Sequence, residues 1–187
     1  MCVGKLNLPE QRRACATAAT GATARARSTR ASAGRYGRRM PLQGEYEPSP
    51  AAWVREQVAE YEASGGQRAN TLRDTGLPVV VVTVRGAKTG KIRKFPVMRV
   101  EHGGDYAIVA SKGGAPTHPL WYTNLLAAPQ EVTLQDGPEP FAVVVRELDG
   151  DERELWWARA VAAYPPYAEY QKKTERRIPV LLATRRA

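Results

Sequence analysis

The sequence predicts an α+β domain that is mainly β, a small barrel of about six antiparallel strands with flanking helices. Short runs rich in Val, Ile, Phe and Tyr recur between residues 79 and 183, and such runs are typical of strands. Short turns rich in Gly and Asp separate neighbouring runs, which indicates antiparallel pairing. The other apolar patterns have helical spacing, and no internal repeat is present.

Residues 1–45 are predicted to be a basic tail outside the folded domain, which spans residues 46–187. Of the 28 Lys and Arg residues nine lie in residues 1–39, whereas only one of the 19 acids does. Three interpretations stay open: an organelle transit peptide, a disordered basic arm, or an extension from a misassigned start, with Met40 as the true initiator. Nucleic-acid binding would rest on this arm alone, so the folded domain is expected to have no nucleic-acid partner.

The residue content excludes several classes of site. Both cysteines, Cys2 and Cys15, lie in the tail, so the domain has no thiolate for catalysis. With His102 and His118 as the only histidines, no metal site is expected. No apolar run approaches the roughly 20 residues of a transmembrane helix. The sequence also offers no Ser/His/Asp motif and no convincing carboxylate pair.

The first helix is expected after residue 49, with Ser49 as the N-cap and Pro50 at the first helical position. Its buried face is predicted to carry Val54, Val58 and Tyr61. Glycines at 65 and 66 end the helix. Trp53 allows contact with a membrane surface as an alternative, but the polar face is acidic, which favours a helix that covers the barrel.

Three strands are predicted at residues 79–84, 95–100 and 106–110, with glycine-rich loops at 86–90 and 111–114. Basic residues concentrate where these strands end: Lys88, Lys91, Arg93, Lys94 and Lys112. Accessible backbone amides beside cationic side chains form an anion-binding site. Lys88 taken alone is more typical of a solvated hairpin, so the prediction depends on the three strand ends together.

The rest of the domain is expected to alternate helices and strands. The predicted elements are a helix at 120–127, strands at 132–135 and 140–148, a helix from the acidic segment 149–152 to residue 164, a short helix at 167–174 and a strand at 178–183. Acidic residues in the first turn favour the helix that starts at 149–152. Two prolines, at 165 and 166, are expected to end it.

Two aromatic groups are candidate pocket walls. Trp121 lies one turn before Asn124, whose amide is expected to face the same cavity. Tyr164, Tyr167 and Tyr170 are spaced by three, which suits either core packing or a pocket mouth lined with hydroxyls. The basic side chains that follow are interpreted as a solvated face: Lys172, Lys173, Arg176 and Arg177. A large apolar pocket with few catalytic side chains suits an enzyme whose cofactor performs the chemistry.

Four segments carry a family resemblance: RGAKTGKIRKFPV, VASKGG, HPLWYTNL and YPPYAEYQKKTERRIPV. With them, roughly residues 50–183 resemble the deazaflavin (coenzyme F-420) dependent nitroreductase family of actinobacteria. The resemblance implies a split β-barrel related to the FMN-binding reductases. It also implies that reduced deazaflavin gives a hydride to a small electrophilic acceptor, such as a quinone, an enone or a nitroaromatic compound.

The resemblance also implies the site residues. Those expected at the cofactor are Lys88, Thr89, Arg93, Phe95, Pro96, Val97, Val109, Ala110, Ser111, Lys112, Gly113, Gly114, Leu120, Trp121 and Asn124. Those expected at the acceptor, as catalytic residues, are Ser111, Tyr164, Tyr167 and Tyr170. Two positions depart from the family: Ala87, where Arg is usual, and Phe95, where some members have Asn. The first departure concerns binding of the cofactor's anionic tail. The second concerns contacts at the edge of its ring and the choice of substrate.

Two other functions on the same barrel stay open. One is a reductase or oxidase that uses FMN, and the other is a non-catalytic carrier that sequesters the deazaflavin. The chain is expected to be a monomer or a homodimer. Its expected location is cytoplasmic, with weak association at the inner face of the cell membrane, where quinones reside.

Overall fold

The computed structural model of the chain describes residues 42–186. Within that range the strands are β1 (Val79–Arg85), β2 (Ile92–Met98), β3 (Glu101–His102), β4 (Asp105–Val109), β5 (Val132–Gln135), β6 (Pro140–Glu147) and β7 (Val180–Arg185). The α-helices are α1 (Ala52–Ala63), α2 (Leu120–Ala127), α3 (Gly150–Ala163) and α4 (Pro166–Lys172). Two short 3-10 turns, Arg73–Thr75 and Lys112–Gly114, complete the elements of this range.

The strands form one sheet in the order β2-β1-β5-β6-β7-β4-β3, and every neighbouring pair is antiparallel. The sheet curls into a half-barrel, which confirms the mainly β, split-barrel-like α+β class. One element was missed, because β3 has two residues and too short a pattern to detect. The strand predicted at 95–100 instead begins at Ile92, which pairs with Arg85.

Side chains along a strand alternate between the two faces of the sheet. The two faces therefore belong to different apolar clusters. The inner cluster contains Val80, Val82 and Val84 of β1, and α2 contributes Leu125 to it. The outer cluster packs the opposite face against α3 and α4, with Val109, Leu182, Trp156, Ala160 and Tyr167 among its members. α2 and the α3–α4 pair therefore lie on opposite faces of the sheet.

Helix α1 buries the side chains that the sequence pattern predicted, Val54, Val58 and Tyr61, against Val81. The Tyr61 hydroxyl donates to the Gln135 carbonyl at 3.3 Å and accepts from the Gly137 amide at 3.0 Å. These two bonds attach the end of α1 to the turn between β5 and β6. The helix ends at Ala63, and only its C-cap, Ser64, separates it from the glycines that were expected to stop it.

The predicted start of α1 is wrong. The helix begins at Ala52, and Ala51, with φ −77° and ψ 117°, occupies the N-cap. The Ser49 hydroxyl instead accepts a hydrogen bond from the Ala51 amide at 3.3 Å, which is a local turn. Pro50 therefore precedes the helix rather than occupying its first position.

Residues 42–47 run beside the outer edge of β2. Tyr46 forms a parallel bridge with Ile92, whose amide donates to the Glu45 carbonyl at 2.8 Å. The Glu47 amide donates to the Ile92 carbonyl at 2.9 Å. The predictions for residues 1–41, including the start at Met40, lie outside the described residues.

None of the helices between residues 42 and 186 combines the length and the hydrophobicity that a membrane-spanning helix requires.

Candidate functional site

The turn between β1 and β2 presents one unpaired cation. The Gly86 amide donates to the Lys91 carbonyl, and the Gly90 amide, at a residue with φ +69°, donates to the Gly86 carbonyl, each at 2.8 Å. These bonds close the turn and leave Lys88 and Thr89 exposed. Lys88 forms no ion pair with any residue between 42 and 186. Its ammonium is therefore available to an anion.

The other basic residues of this region are largely neutralised. Three ion pairs join them to acids that precede β1, each with a 2.7 Å separation: Lys91–Glu45, Arg93–Glu47 and Lys94–Glu62. The predicted basic groove therefore has fewer cations without a carboxylate partner than the sequence suggests. The sequence did not show which acids would lie beside β2 in the folded chain. Arg93 keeps its predicted place near the turn, but with a carboxylate already bound.

The loop 111–114 has the backbone of an anion-binding concavity. Ser111 is right-handed, with φ −72° and ψ −43°, and the next residues are left-handed: Lys112 at φ +47° and Gly113 at φ +66°. Adjacent residues of opposite handedness turn successive N–H groups toward one point. The Lys112 ammonium donates to the Thr117 hydroxyl at 3.0 Å.

The two glycines of this loop differ in their surroundings. A Cβ at Gly113 would have no atom within 4 Å, whereas a Cβ at Gly114 would lie 2.6 Å from the Tyr170 carbonyl oxygen. Gly114 is therefore required for the close approach of the loop to α4. Gly113 borders open space, where a ligand can approach the backbone.

An unpredicted residue holds this loop in place. Arg176 donates to the Ala115 carbonyl at 2.8 Å and to the Ser111 carbonyl at 2.7 Å. Burial lowers the pKa of its guanidinium. The interpretation of Arg176 as part of a solvated basic face is wrong, because the loop that it binds lies about 60 residues earlier in the sequence. Its neighbour Arg177 does lie at the surface, paired with Glu154 at 2.8 Å.

The predicted ring-lining residues divide between the two faces of the sheet. Phe95, Val97 and Ala110 belong to the inner cluster with Trp121. Val109 belongs to the outer cluster. Pro96 lies opposite Val81, on the face that packs against α1. Consecutive strand residues point to opposite faces, so a continuous run cannot line one pocket.

Helix α2 lies over the inner cluster. The Trp121 indole stacks on the Phe95 ring, with centroids 4.8 Å apart and planes at 13°. The Asn124 side-chain oxygen accepts from the Ala87 amide at 3.0 Å, so this amide group ties α2 to the turn 86–90. Leu120 is 87% exposed at the start of the helix.

Tyr122 joins α2 to the end of β6 by a hydrogen bond. The Tyr122 hydroxyl donates to the Glu147 carboxylate at 2.7 Å. Burial, followed by this hydrogen bond, raises the pKa of Tyr122 to about 12. The His118 ring lies 4.7 Å from the Tyr122 ring. Neither His118 nor Tyr122 was singled out as a site residue, because only their tertiary partners distinguish them.

The three tyrosines of the C-terminal region form one aromatic group. The hydroxyl oxygens of Tyr164 and Tyr170 lie 3.1 Å apart. Burial, followed by the contact with Tyr170, raises the pKa of Tyr164 to about 12. Tyr167 is 4% exposed within the outer cluster, and burial raises its pKa further. This placement favours core packing for Tyr167 and leaves Tyr164 and Tyr170 as the candidates for a pocket mouth.

The segment 117–124 joins the predicted binding elements. Thr117 binds Lys112, His118 lies 3.2 Å from Arg176, Trp121 stacks on Phe95 and Asn124 binds Ala87. Both glycine-rich loops and the aromatic stack therefore contact one short stretch of chain. The arrangement combines cations and amides for anionic groups with an apolar surface for a planar ring.

Comparisons with known proteins agree with this chemistry. Residues 53–185 match the family described as F420H(2)-dependent quinone reductase. A protein of Mycobacterium tuberculosis (strain ATCC 25618 / H37Rv) named an F420H(2)-dependent quinone reductase is 38% identical over 112 residues, which are 58% of this chain and 74% of that protein.

Two solved structures also resemble the chain. One, described as an F420-H2 dependent reductase (FDR-A), is 57% identical, covers 57% of this chain and 93% of its own, and has a TM-score of 0.54. The other, described as a domain-swapped dimer, is 51% identical with a TM-score of 0.56, and the match covers 72% of this chain and 99% of that chain.

Proposed function

This chain belongs to the F420H(2)-dependent quinone reductase family, and we propose that its reaction takes place where the segment 117–124 meets the turn 86–90 and the loop 111–114. The chain is an oxidoreductase that depends on the reduced deazaflavin coenzyme F-420. The FMN alternative receives no support from the family. We propose a quinone as the acceptor, with enones and nitroaromatic compounds as the other electrophiles to be tested.

The charged groups fit the anionic part of this cofactor. Phosphate and carboxylate groups require cations and N–H donors. Lys88 supplies an ammonium that has no ion-pair partner among residues 42–186, and Lys112 supplies another, bonded to Thr117, beside the left-handed backbone of the loop 111–114. Thr89 and Gly113 lie at the exposed tips of these two segments. We propose that these residues hold the phosphate and the carboxylate tail.

The apolar residues fit the ring. Phe95, Val97, Ala110 and Trp121 share the inner cluster, and a ring bound against these apolar side chains would be shielded from water. When bound, the reduced deazaflavin supplies a hydride to the acceptor. The role of the protein is then to orient the two molecules and to keep the site dry.

The acceptor side is assigned to hydroxyl groups. Ser111 is 9% exposed, and within residues 42–186 its hydroxyl forms no hydrogen bond. It can therefore donate to an acceptor oxygen and stabilise negative charge there. Tyr164 carries its proton at neutral pH, as any tyrosine with a pKa near 10 does, and burial raises this pKa to about 12. The contact of Gly114 with the Tyr170 carbonyl brings this tyrosine pair beside the loop.

The observation that carries the proposal is the shared contact of both glycine-rich loops and Phe95 with the segment 117–124. It is tested by titrating the full chain with deazaflavin and, separately, with FMN. Reduced deazaflavin is then mixed with menadione, an enone or a nitroaromatic compound, and its reoxidation is followed by absorbance. We expect saturable deazaflavin binding and catalysed reoxidation by menadione.

Matched lysine variants connect the result to the site. Lys112→Ala should weaken deazaflavin binding, whereas Lys172→Ala, which removes a surface ion pair with Glu169, should leave it unchanged. Deazaflavin binding without reoxidation by any of the acceptors would contradict the proposed enzymatic activity and favour a non-catalytic carrier. Binding of FMN alone would contradict the cofactor assignment.

We also propose that the chain forms a homodimer, because one of the two similar structures is described as a domain-swapped dimer. Light scattering at several protein concentrations measures the mass directly. A monomer at every concentration would contradict the proposal.

The cytoplasmic location, peripheral to the inner membrane face, stays a proposal that fractionation tests. Trp53 is a weak candidate for the membrane contact, because the Arg73 guanidinium lies 5.0 Å from its ring centroid. Recovery of the chain only outside the membrane fraction would contradict peripheral association.

A further inference from the structure

The side chain of Arg176 binds backbone carbonyls on both sides of the loop 111–114. Its Nε donates to the Ala115 carbonyl at 2.8 Å. Its Nη2 donates to the Ser111 carbonyl at 2.7 Å and to the Ala110 carbonyl at 3.2 Å. The ends of the loop are thereby attached to one planar group. Arg176 itself lies close before β7 and belongs to neither glycine-rich loop.

We propose that Arg176 is a positioning residue for the deazaflavin reaction: its guanidinium fixes the loop 110–115 and so orients Ser111 and the amides that follow it. The proposal rests on the function proposed above, because it assigns Arg176 to the same site. Arg176 acts through the loop and is not assigned a contact with cofactor or acceptor.

The direction of the carbonyls explains how the anchor orients the loop. In a trans peptide the C=O and the next N–H point in opposite directions. Because the Ser111 carbonyl points to Arg176, the Lys112 amide points away from Arg176. The anchor thus separates the two sides of the peptide, with carbonyls toward the cation and the amide toward the opposite side.

The anchor also accounts for an unusual backbone conformation. Lys112 has φ +47°, which residues other than glycine seldom adopt. Such a conformation persists when the surrounding bonds determine it. The Ser111 carbonyl that binds Arg176 directly precedes Lys112, so charge-assisted hydrogen bonds hold the peptide at this point.

The same guanidinium reaches the segment before α2. Its Nη1 lies 3.2 Å from His118 Nδ1. A guanidinium has only donors, so Nδ1 is the acceptor side of this contact. Arg176 therefore joins the loop 110–115 to the start of the segment that carries Trp121.

Lysine cannot reproduce this arrangement. The guanidinium presents several N–H groups in one rigid plane, whereas an ammonium is a compact charge on a flexible stem. Arg176→Lys therefore keeps the charge and most of the packing but loses the simultaneous bonds to Ala115 and Ser111. Arg177→Met is the matched control, because it removes an adjacent positive charge whose one ion-pair partner among residues 42–186 is Glu154.

Two measurements on the full chain test the proposal. Hydrogen–deuterium exchange of residues 110–115 reports the loop without any cofactor, and we expect faster exchange in Arg176→Lys and Arg176→Met but not in Arg177→Met. Turnover with menadione should fall on the order of 10- to 100-fold in Arg176→Lys, since small displacements of positioned groups cost that much. If Arg176→Met does not fold, exchange and turnover in Arg176→Lys still test the proposal.

A double-variant cycle separates positioning from general stability. If Arg176 acts through the loop, Arg176→Lys should lower turnover less in a Ser111→Ala background than in the wild type. Unchanged exchange in Arg176→Lys, or an equal loss of turnover in Arg177→Met, would overturn the proposal. Wild-type protein that does not bind deazaflavin would instead refute the proposed function, while exchange would still judge the loop anchor.

Discussion

The ring of Phe95 stacks on the indole of Trp121, with centroids 4.8 Å apart and planes at 13°. Phe95 comes from β2 and Trp121 from α2, so the stack fixes the helix against the sheet. The phenyl ring supports the indole that we assign to the cofactor pocket.

This stack predicts a measurable coupling between the two residues. Urea unfolding of Phe95→Leu, Trp121→Leu and the double variant should give a coupling of about 0.5–1.5 kcal/mol, the usual range for an aromatic pair beyond its buried area. Phe141→Leu is the control, since Phe141 pairs with Tyr106 and not with Trp121. A coupling of zero for Phe95 and Trp121 would show that the stack contributes only area.

The Glu47–Arg93 pair predicts that removing an acid strengthens cofactor binding. Glu47 holds the Arg93 guanidinium at 2.7 Å, and both side chains are partly exposed. Such pairs contribute about 0–1 kcal/mol, so Glu47→Gln should tighten deazaflavin binding by up to about fivefold at low salt. Glu45→Gln, which frees Lys91 instead, is the matched control. Weaker binding in Glu47→Gln would contradict a role for Arg93 at the anionic tail.

The two glycines of the loop predict different costs for the same substitution. At φ +66°, Gly113→Ala adds only backbone strain of about 1–2 kcal/mol. Gly114→Ala has similar strain at φ +83° and also places a Cβ 2.6 Å from the Tyr170 carbonyl, so the loop or α4 must move. The free energy of unfolding should therefore fall further in Gly114→Ala. Equal losses would mean that α4 adjusts without cost.

The pKa of Tyr164 predicts a loss of stability in alkali. Between an unfolded pKa of about 10 and the folded value of about 12, the folded state retains a proton that the unfolded state has lost. Stability from this group is therefore complete below about pH 10 and is lost as the pH rises through the folded pKa. Tyr164→Phe should make the free energy of unfolding less dependent on pH in that interval, as measured by urea titration. An unchanged slope would assign the effect to other groups.

The local patterns were sufficient for most elements of the fold. Short runs rich in apolar residues and glycine-containing turns located β1, β5 and β6, and helical spacing identified the buried face of α1. The first residue of α1 was wrong, since a Ser-Pro pair suits a turn as well as a cap. β3 was missed because it has only two residues, too few for any periodic pattern.

The site was only partly predictable. The motifs around Lys88, Ser111 and Trp121 lie in separate segments of the sequence, and the structure brings the two loops to the segment that carries Trp121. The face on which Pro96 and Val109 lie depends on strand register, which a run of apolar letters does not specify. Arg176 carries no local signal, because the carbonyls that it binds lie more than 60 residues away.

The sequence by itself determined the fold class, the two glycine-rich loops and the family, because these follow from local spacing and from motifs of consecutive residues. Only the tertiary structure decided which charges remain available and which side chains position the loops. Glu47 neutralises Arg93, whereas Arg176 is drawn into the loop 110–115. Both outcomes depend on pairing between distant residues, and the energy of such pairs is set by distance and burial rather than by order along the chain.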